Sequence, residues 1–224
     1  MIKDDMQYLT IALPKGKLFY LAKDLFAKVG FVADNLEEKS RKLVITNEEL
    51  KLKFIIAKTA DVPTYVEHGA ADIGVIGKDV LMEAQKDVYE LLDLGFGRCH
   101  LMMAVPKDKK RAKLTDYTHT RVATKFPNVA KQFFTSKGMQ MEYIKMNGSI
   151  ELAPIVGLSE VIVDIVETGT TLNENGLVVL EEVCPLSARM IVNPVSMRME
   201  NDRIKKIVTD LRELLREEQC GHAN

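Results

Sequence analysis

Short apolar runs alternate with helically spaced apolar positions along the whole chain. Tyr8–Leu13 is a nearly continuous apolar run of strand length. Leu18, Leu21, Leu25, Phe26 and Val29 follow at helical spacing, and Gly30 is placed to stop them. Leu43–Thr46 and Leu52–Ala57 predict a strand pair around the polar turn Asn47-Glu48-Glu49. Val62–His68 predicts a helix, Ile73–Ile76 a buried strand, Asp79–Gln85 a helix, and Cys99–Val105 a strand closed by Pro106. The basic run at 107–113 is read as a solvated turn or lobe junction. A second series begins with a strand at Arg121–Thr124 and a helix at Pro127–Lys137, with Pro in its first turn and Gly138 past its end. Met141–Met146 predicts a strand, Glu151–Val156 a short helix, and Glu160–Val166 a strongly apolar strand. Gly176–Glu182 and Ala188–Val192 predict further strands. Ile204, Ile207, Val208, Leu211, Leu214 and Leu215 form the apolar stripe of a terminal helix, frayed over 219–224. This alternation implies an α/β protein, and the basic run divides it into two α/β lobes.

Composition narrows the possible roles. The 224 residues carry 31 Lys+Arg against 32 Asp+Glu, a net charge of −1, which disfavours nucleic acid as a partner. No apolar stretch has the length to span a membrane, and the first ten residues are too acidic for an export signal, so a cytoplasmic location is expected. Cys99, Cys184 and Cys220 lie far apart and read as free thiols. The four histidines are isolated from one another in the sequence, and no nucleophile–base arrangement is suggested locally.

Three segments carry candidate chemistry. Lys15-Gly16-Lys17 lies between the first strand and first helix, where an α/β sheet binds ligands and a helix start attracts anions. The plain alternative is a Pro-Gly turn with solvated lysines. In the second, the apolar strand ending near Val166 runs through Asp164 and Glu167 into Thr168-Gly169-Thr170-Thr171-Leu172. The glycine permits close approach of backbone amides to a phosphate, and the hydroxyls add donors. An acid ahead of such a loop can hold ribose hydroxyls or a Mg²⁺ carried by the substrate. The plain alternative is a helix start capped by Thr. The third comprises Asp61-Val62-Pro63, which suits a helix cap and first turn, and Gly77-Lys78-Asp79, a tight turn from a strand into a helix. Neither a Walker-type nor a Rossmann glycine loop is present.

Together these segments resemble the short form of the ATP phosphoribosyltransferase family over nearly the whole chain. The resemblance rests on residues 13–18, 40–46, 60–81 and 147–172, the last with Glu151, Gly157, Ser159, Asp164 and Thr168–Leu172. It implies a two-lobed α/β fold of the periplasmic-binding-protein type (type II), with the active site in the inter-lobe cleft. Lobe I would span 1–105 with the C-terminal helix 195–224 packed back on it, and lobe II 106–194. The implied reaction joins N1 of ATP to C1′ of phosphoribosyl pyrophosphate (PRPP) and releases pyrophosphate, with Mg²⁺ carried by substrate and no direct metal ligand. PRPP would be held by Glu151, Asp164, Glu167, Thr168, Gly169, Thr170, Thr171 and Leu172. ATP would be held by Lys15, Gly16, Lys17, Arg41, Lys58, Asp61, Val62, Pro63, Gly77 and Asp79, with Lys15 and Lys58 catalytic. Lys58 and Lys17 stand where many members have Arg, which keeps the charge and loses the planar fork.

The resemblance also implies a homodimer and a hetero-oligomer with a regulatory subunit similar to histidyl-tRNA synthetase, the long form's C-terminal regulatory domain being absent. Two other readings share the fold: a non-catalytic solute receptor or effector domain, and a phosphoribosyltransferase acting on a free base. The first would need an export signal or a DNA-binding segment. The second is disfavoured by the 60–81 segment through resemblance alone.

Overall fold

A computed structural model describes residues 8–33, 36–38, 42–199 and 201–221. Its strands are β1 (Leu9–Pro14), β2 (Val44–Asn47), β3 (Leu52–Ala57), β4 (Ile73–Gly77), β5 (Tyr89–Asp93) and β6 (Cys99–Pro106). They continue with β7 (Arg121–Thr124), β8 (Glu142–Lys145), β9 (Val161–Val166), β10 (Leu177–Leu186) and β11 (Ala188–Val192). The helices are α1 (Lys17–Lys28), α2 (Val62–Glu67), α3 (Lys78–Ala84), α4 (Pro127–Ser136), α5 (Leu152–Ile155), α6 (Thr170–Glu174), α7 (Ser196–Met199) and α8 (Asn201–Gly221). The chain divides into two compact units, Met1–Gly97 with Ser187–Asn224, and Arg98–Leu186.

The first unit is a sheet of order β2-β3-β1-β4-β11-β5. β1 pairs in parallel with both β3 and β4, so the carboxyl ends of these three strands share one edge of the sheet. All six residues of β1 are buried, which is why it reads as a continuous apolar run rather than an alternating one. Phe19, Ala22, Leu25 and Phe26 of α1 and Ile204, Ile207, Leu211 and Leu215 of α8 close one core with β1, β3 and β4. Val62 and Val66 of α2 approach Gly74 so closely that a Cβ there would stand 2.9 and 2.7 Å from their methyls. Glycine at 74 is therefore a packing requirement.

The second unit is a sheet of order β10-β6-β9-β7-β8. β7 pairs in parallel with β8 and β9, while β6 is antiparallel to β9 and β10. Ala104, Ala123, Ile150, Ala153, Ile162, Leu172 and Leu177 form one cluster of its core, and Leu101, Met103, Val122, Phe134, Val161 and Val163 are buried as well.

The divisions differ from the expected boundaries at 105/106 and 194/195. β6 pairs on both sides inside the second unit, and β11 pairs with β4 and β5 inside the first, so the chain crosses at 97/98 and 186/187. The basic run 107–113 is exposed as expected but lies within the second unit, not at the crossing. β5 was not predicted. It is an edge strand with most positions exposed, and it lacks the apolar run that marks an inner strand. Fraying was expected over 219–224, but the terminal helix continues through 219–221 to Gly221, and 222–224 lie outside the described residues. No helix among the described residues is long and apolar enough to cross a membrane.

Candidate active site

In the first unit, the sheet delivers two lysines side by side. Pro14 and Ala57 are register partners at the ends of β1 and β3, and the Lys15 N–H donates to the Ala57 carbonyl at 2.9 Å. Lys15 and Lys58 are thus the first residues past adjacent parallel strand ends, and both are exposed. Gly16 has φ +89°, a left-handed conformation that favours glycine, and passes the chain into α1. Lys17 opens that helix, exposed.

The Gly16 N–H already has an anionic partner. It donates to the Glu38 carboxylate at 2.6 Å, so one of the protein's own acids occupies this helix start. The Tyr20 hydroxyl donates to the same carboxylate, which holds the phenol's pKa above its ordinary value. The sequence gives no local sign of this contact, since 22 positions separate the two residues.

Other members of the predicted ATP set divide by environment. Asp61 is exposed at the end of a 3₁₀ turn over Thr59–Asp61 whose first hydrogen bond, Asp61 N–H to Lys58 O, measures 2.9 Å. Val62 and Pro63 are buried in the first turn of α2, so their side chains serve packing and only their backbone can face a ligand. At the end of β4, the Asp79 carboxylate folds over Gly77, where a Cβ would meet its Oδ1 at 2.1 Å. Arg41 lies outside the described residues.

In the second unit, β9 ends in a cavity of about 310 Å³ lined by Glu151, Asp164–Gly169, Thr171 and Leu172. Gly169 has φ +79° and precedes α6 as its N-cap, without a side chain to cap it. The only loop hydroxyl that reaches the helix start among the described residues is Thr168 Oγ1, which accepts the Thr170 N–H at a long 3.5 Å, so the Thr cap of the plain alternative is weak. Thr168 Oγ1 and Thr170 Oγ1 lie 3.1 Å apart on the exposed loop. The loop's far end is fixed by Asn173 N–H to Gly169 O at 3.1 Å and Asn175 Nδ2 to Thr171 O at 2.8 Å. Leu172 is buried in the core, so the loop is anchored through its last residue.

Asp164 is the electrostatic centre of this cavity. Burial pushes its carboxyl up to about 6, helped by the like charge of Glu151 and opposed by the Ile165 N–H and Lys125. The Ile165 N–H donates to Asp164 Oδ1 at 2.8 Å, leaving the second oxygen for another donor. A half-buried carboxylate beside amide and hydroxyl donors suits a polyol phosphate, with the hydroxyls on the acid and the phosphate on the loop. Lys125 is absent from the predicted set. The strand-end rule, applied to β7 as it was to β9, would have found it. Among the described residues, no three His, Cys, Asp or Glu side chains gather into a metal-holding group.

Comparison with known proteins shows the family of the chain. The family model described as HisG, ATP phosphoribosyltransferase, matches residues 58–213. The ATP phosphoribosyltransferase of Lachnoclostridium phytofermentans is 58% identical over 216 residues, 96% of this chain and 100% of that protein. In the ATP phosphoribosyl transferase (HisG:HisZ) complex from Thermotoga maritima, a chain 34% identical superposes with a TM-score of 0.79, covering 94% of this chain and 98% of that one. A periplasmic sulfonate-binding protein from Methylobacillus flagellatus, 14% identical with a TM-score of 0.61, covers 93% of this chain and 68% of that one, a likeness of fold alone. The chain belongs to the ATP phosphoribosyltransferase family, the transferases that join N1 of ATP to C1′ of PRPP, release pyrophosphate and so begin histidine biosynthesis.

Proposed function

We propose that the second unit's cradle holds PRPP and that the first unit's strand-end lysines serve ATP and the departing pyrophosphate. The observation that carries this reading is the cavity at the end of β9, lined both by the carboxylates of Asp164 and Glu151 and by the Gly169 loop. In this reading Thr168–Thr171 bind the 5′-phosphate through backbone amides and hydroxyls, and Asp164 and Glu151 accept from the ribose hydroxyls. Lys15 and Lys17 meet the phosphates of ATP, and Gly16 joins them once the Glu38 carboxylate gives up its N–H, with Arg41, Asp61, the Val62–Pro63 backbone, Gly77 and Asp79 completing that set. Mg²⁺ enters with the substrate on the pyrophosphate, whose charge it offsets.

The reaction asks little of acid–base groups. The anomeric carbon gains oxocarbenium character as pyrophosphate leaves, so catalysis rests on placing N1 near C1′ and on stabilising the leaving charge. Lys15 and Lys58 suit the second task. ATP and PRPP with Mg²⁺ should yield pyrophosphate and N1-phosphoribosyl-ATP in equal amounts. Release of pyrophosphate without the nucleotide product would overturn the assignment.

The loop can be tested separately. Gly169→Val forces a β-branched residue to φ +79° and should raise the PRPP KM roughly tenfold or more while leaving the ATP KM nearly unchanged. Unchanged PRPP kinetics in the folded variant would remove the loop from the phosphate site.

The Thermotoga relative is described as a HisG:HisZ complex, which supports a HisZ-like partner for this chain, and the sequence resemblance implies that this partner is a regulatory subunit similar to histidyl-tRNA synthetase. The isolated chain is a homodimer, active and insensitive to histidine. Inhibition by histidine then requires the subunit, because allostery needs a second site with its own ligand preference. Sedimentation and initial rates, with and without the subunit, test this. Histidine inhibition of the chain alone would overturn it.

A further inference from the structure

If the second unit holds PRPP, its cavity carries a charge imbalance. Glu151, Asp164 and Glu167 line it, and among the described residues no lysine or arginine does. PRPP brings a pyrophosphate, whose charge Mg²⁺ offsets, and a 5′-phosphate, which the loop's amides and hydroxyls offset only with partial charges. A full positive charge from the same sheet edge would correct the imbalance.

The register of β7 and β9 supplies one. Thr124 and Val163 are partners in this parallel pair, and the next residues are Lys125 and Asp164. Lys125 is exposed, with its ammonium 5.8 Å from the Phe126 ring centroid. Its backbone is well held. Thr124 is fully buried, its Oγ1 accepts the Phe126 N–H at 2.9 Å, and Pro127 then starts α4. The charge reaches the site, since Lys125 draws the Asp164 carboxyl downward against burial and Glu151.

We propose that Lys125 is a PRPP-positioning residue, its ammonium supplying the counter-charge that the carboxylate-lined cavity lacks and drawing the sugar phosphate onto Asp164 and Glu151. This rests on the PRPP reading of the cradle and adds a residue to it. An arginine would keep the charge and a glutamine would lose it at similar size.

The test uses the full chain with Mg²⁺ and PRPP, by calorimetric titration and by initial rates. Lys125→Gln should weaken PRPP binding roughly 10- to 50-fold, the usual range for a lost charge-assisted contact, and leave the ATP KM within about twofold. Lys125→Arg should restore PRPP binding to within a few-fold. Lys125→Gln should also move the acid limb of PRPP binding to higher pH. Asp164 is then left facing Glu151, with Glu167 on the same cavity and only the Ile165 N–H opposing. Gly169→Val is titrated alongside. If Gly169→Val loses PRPP and Lys125→Gln does not, Lys125 is a solvated surface cation and the proposal falls. If neither variant changes PRPP binding, the cradle reading falls with it.

Discussion

Replacing Lys58 by alanine is expected to lower kcat by roughly 10²–10³, with much smaller changes in either KM. Lys58 is the first residue after β3, and Lys15 the first after β1, at register-paired strand ends joined by the 2.9 Å Lys15–Ala57 hydrogen bond. Two lysines thereby leave the sheet from neighbouring, well-held backbone positions. Negative charge on pyrophosphate is greatest as its bond to C1′ breaks, so a cation placed there stabilises the transition state more than the bound substrate. That difference appears in kcat. Lys58 is exposed and its loss removes no core contact, so the melting temperature should stay within a degree or two. Lys58→Arg should keep or raise activity, because the guanidinium fork can bind two phosphate oxygens at once. A folded Lys58→Ala enzyme with unchanged kcat would reduce the residue to a surface charge.

The parts of this molecule that were legible in sequence are those where burial writes a periodicity. β1, β4 and β9 are inner strands and appear as short apolar runs, and α1 was legible from its helical spacing, although it buries Phe19, Ala22, Leu25 and Phe26 and leaves Leu18, Leu21 and Val29 of the expected stripe only partly covered. β5 left no such record because an edge strand buries only one or two of its side chains. The lobe boundary was drawn at the basic run 107–113 because charge looks like a junction. Pairing partners decide it instead, and β6 has both of its partners in the second unit.

The site shows a similar split. The Lys15–Lys17 and Thr168–Thr171 turns were legible because each interrupts an apolar strand with glycine and polar groups at the ligand-binding edge. Val62, Pro63 and Leu172 entered the predicted set through their motifs, yet their side chains are core. A motif preserves the packing that shapes a loop as well as the groups that meet the ligand. Glu38 and Lys125 were missed for different reasons. Glu38 reaches Gly16 across 22 positions, and Lys125, the first residue past β7, was passed over because the strand-end rule was applied to β1 and β9 and not to β7, whose register with β9 sets it beside Asp164.

Asp164→Asn should separate affinity from stability by moving them in opposite directions. The carboxyl titrates at about 6 in the folded protein against 3.8 ordinarily, chiefly because burial disfavours its charge. Between those two values the folded state holds a proton that the unfolded chain has released. Stability therefore falls as pH rises through this window, and above about pH 6 the full penalty is present. A shift of roughly two units corresponds to at most about 3 kcal/mol, less what solvent at this half-buried group screens. Asparagine carries no charge and can still accept the Ile165 N–H through its Oδ1. The variant should melt several degrees higher than the parent at pH 7.5, with the difference closing near pH 4. PRPP binding should change the other way. An amide oxygen is a weaker acceptor than a carboxylate, so the PRPP KM should rise roughly 10- to 100-fold at pH 7.5. In the parent enzyme the PRPP KM should climb as pH drops through about 6, where Asp164 gains its proton, and the asparagine variant should lack that limb. Thermal melts at the two pH values and PRPP titrations from pH 5 to 8 measure both. A variant that loses stability at pH 7.5, or one that binds PRPP as tightly as the parent, would show that the buried charge at 164 is not held in place for the substrate.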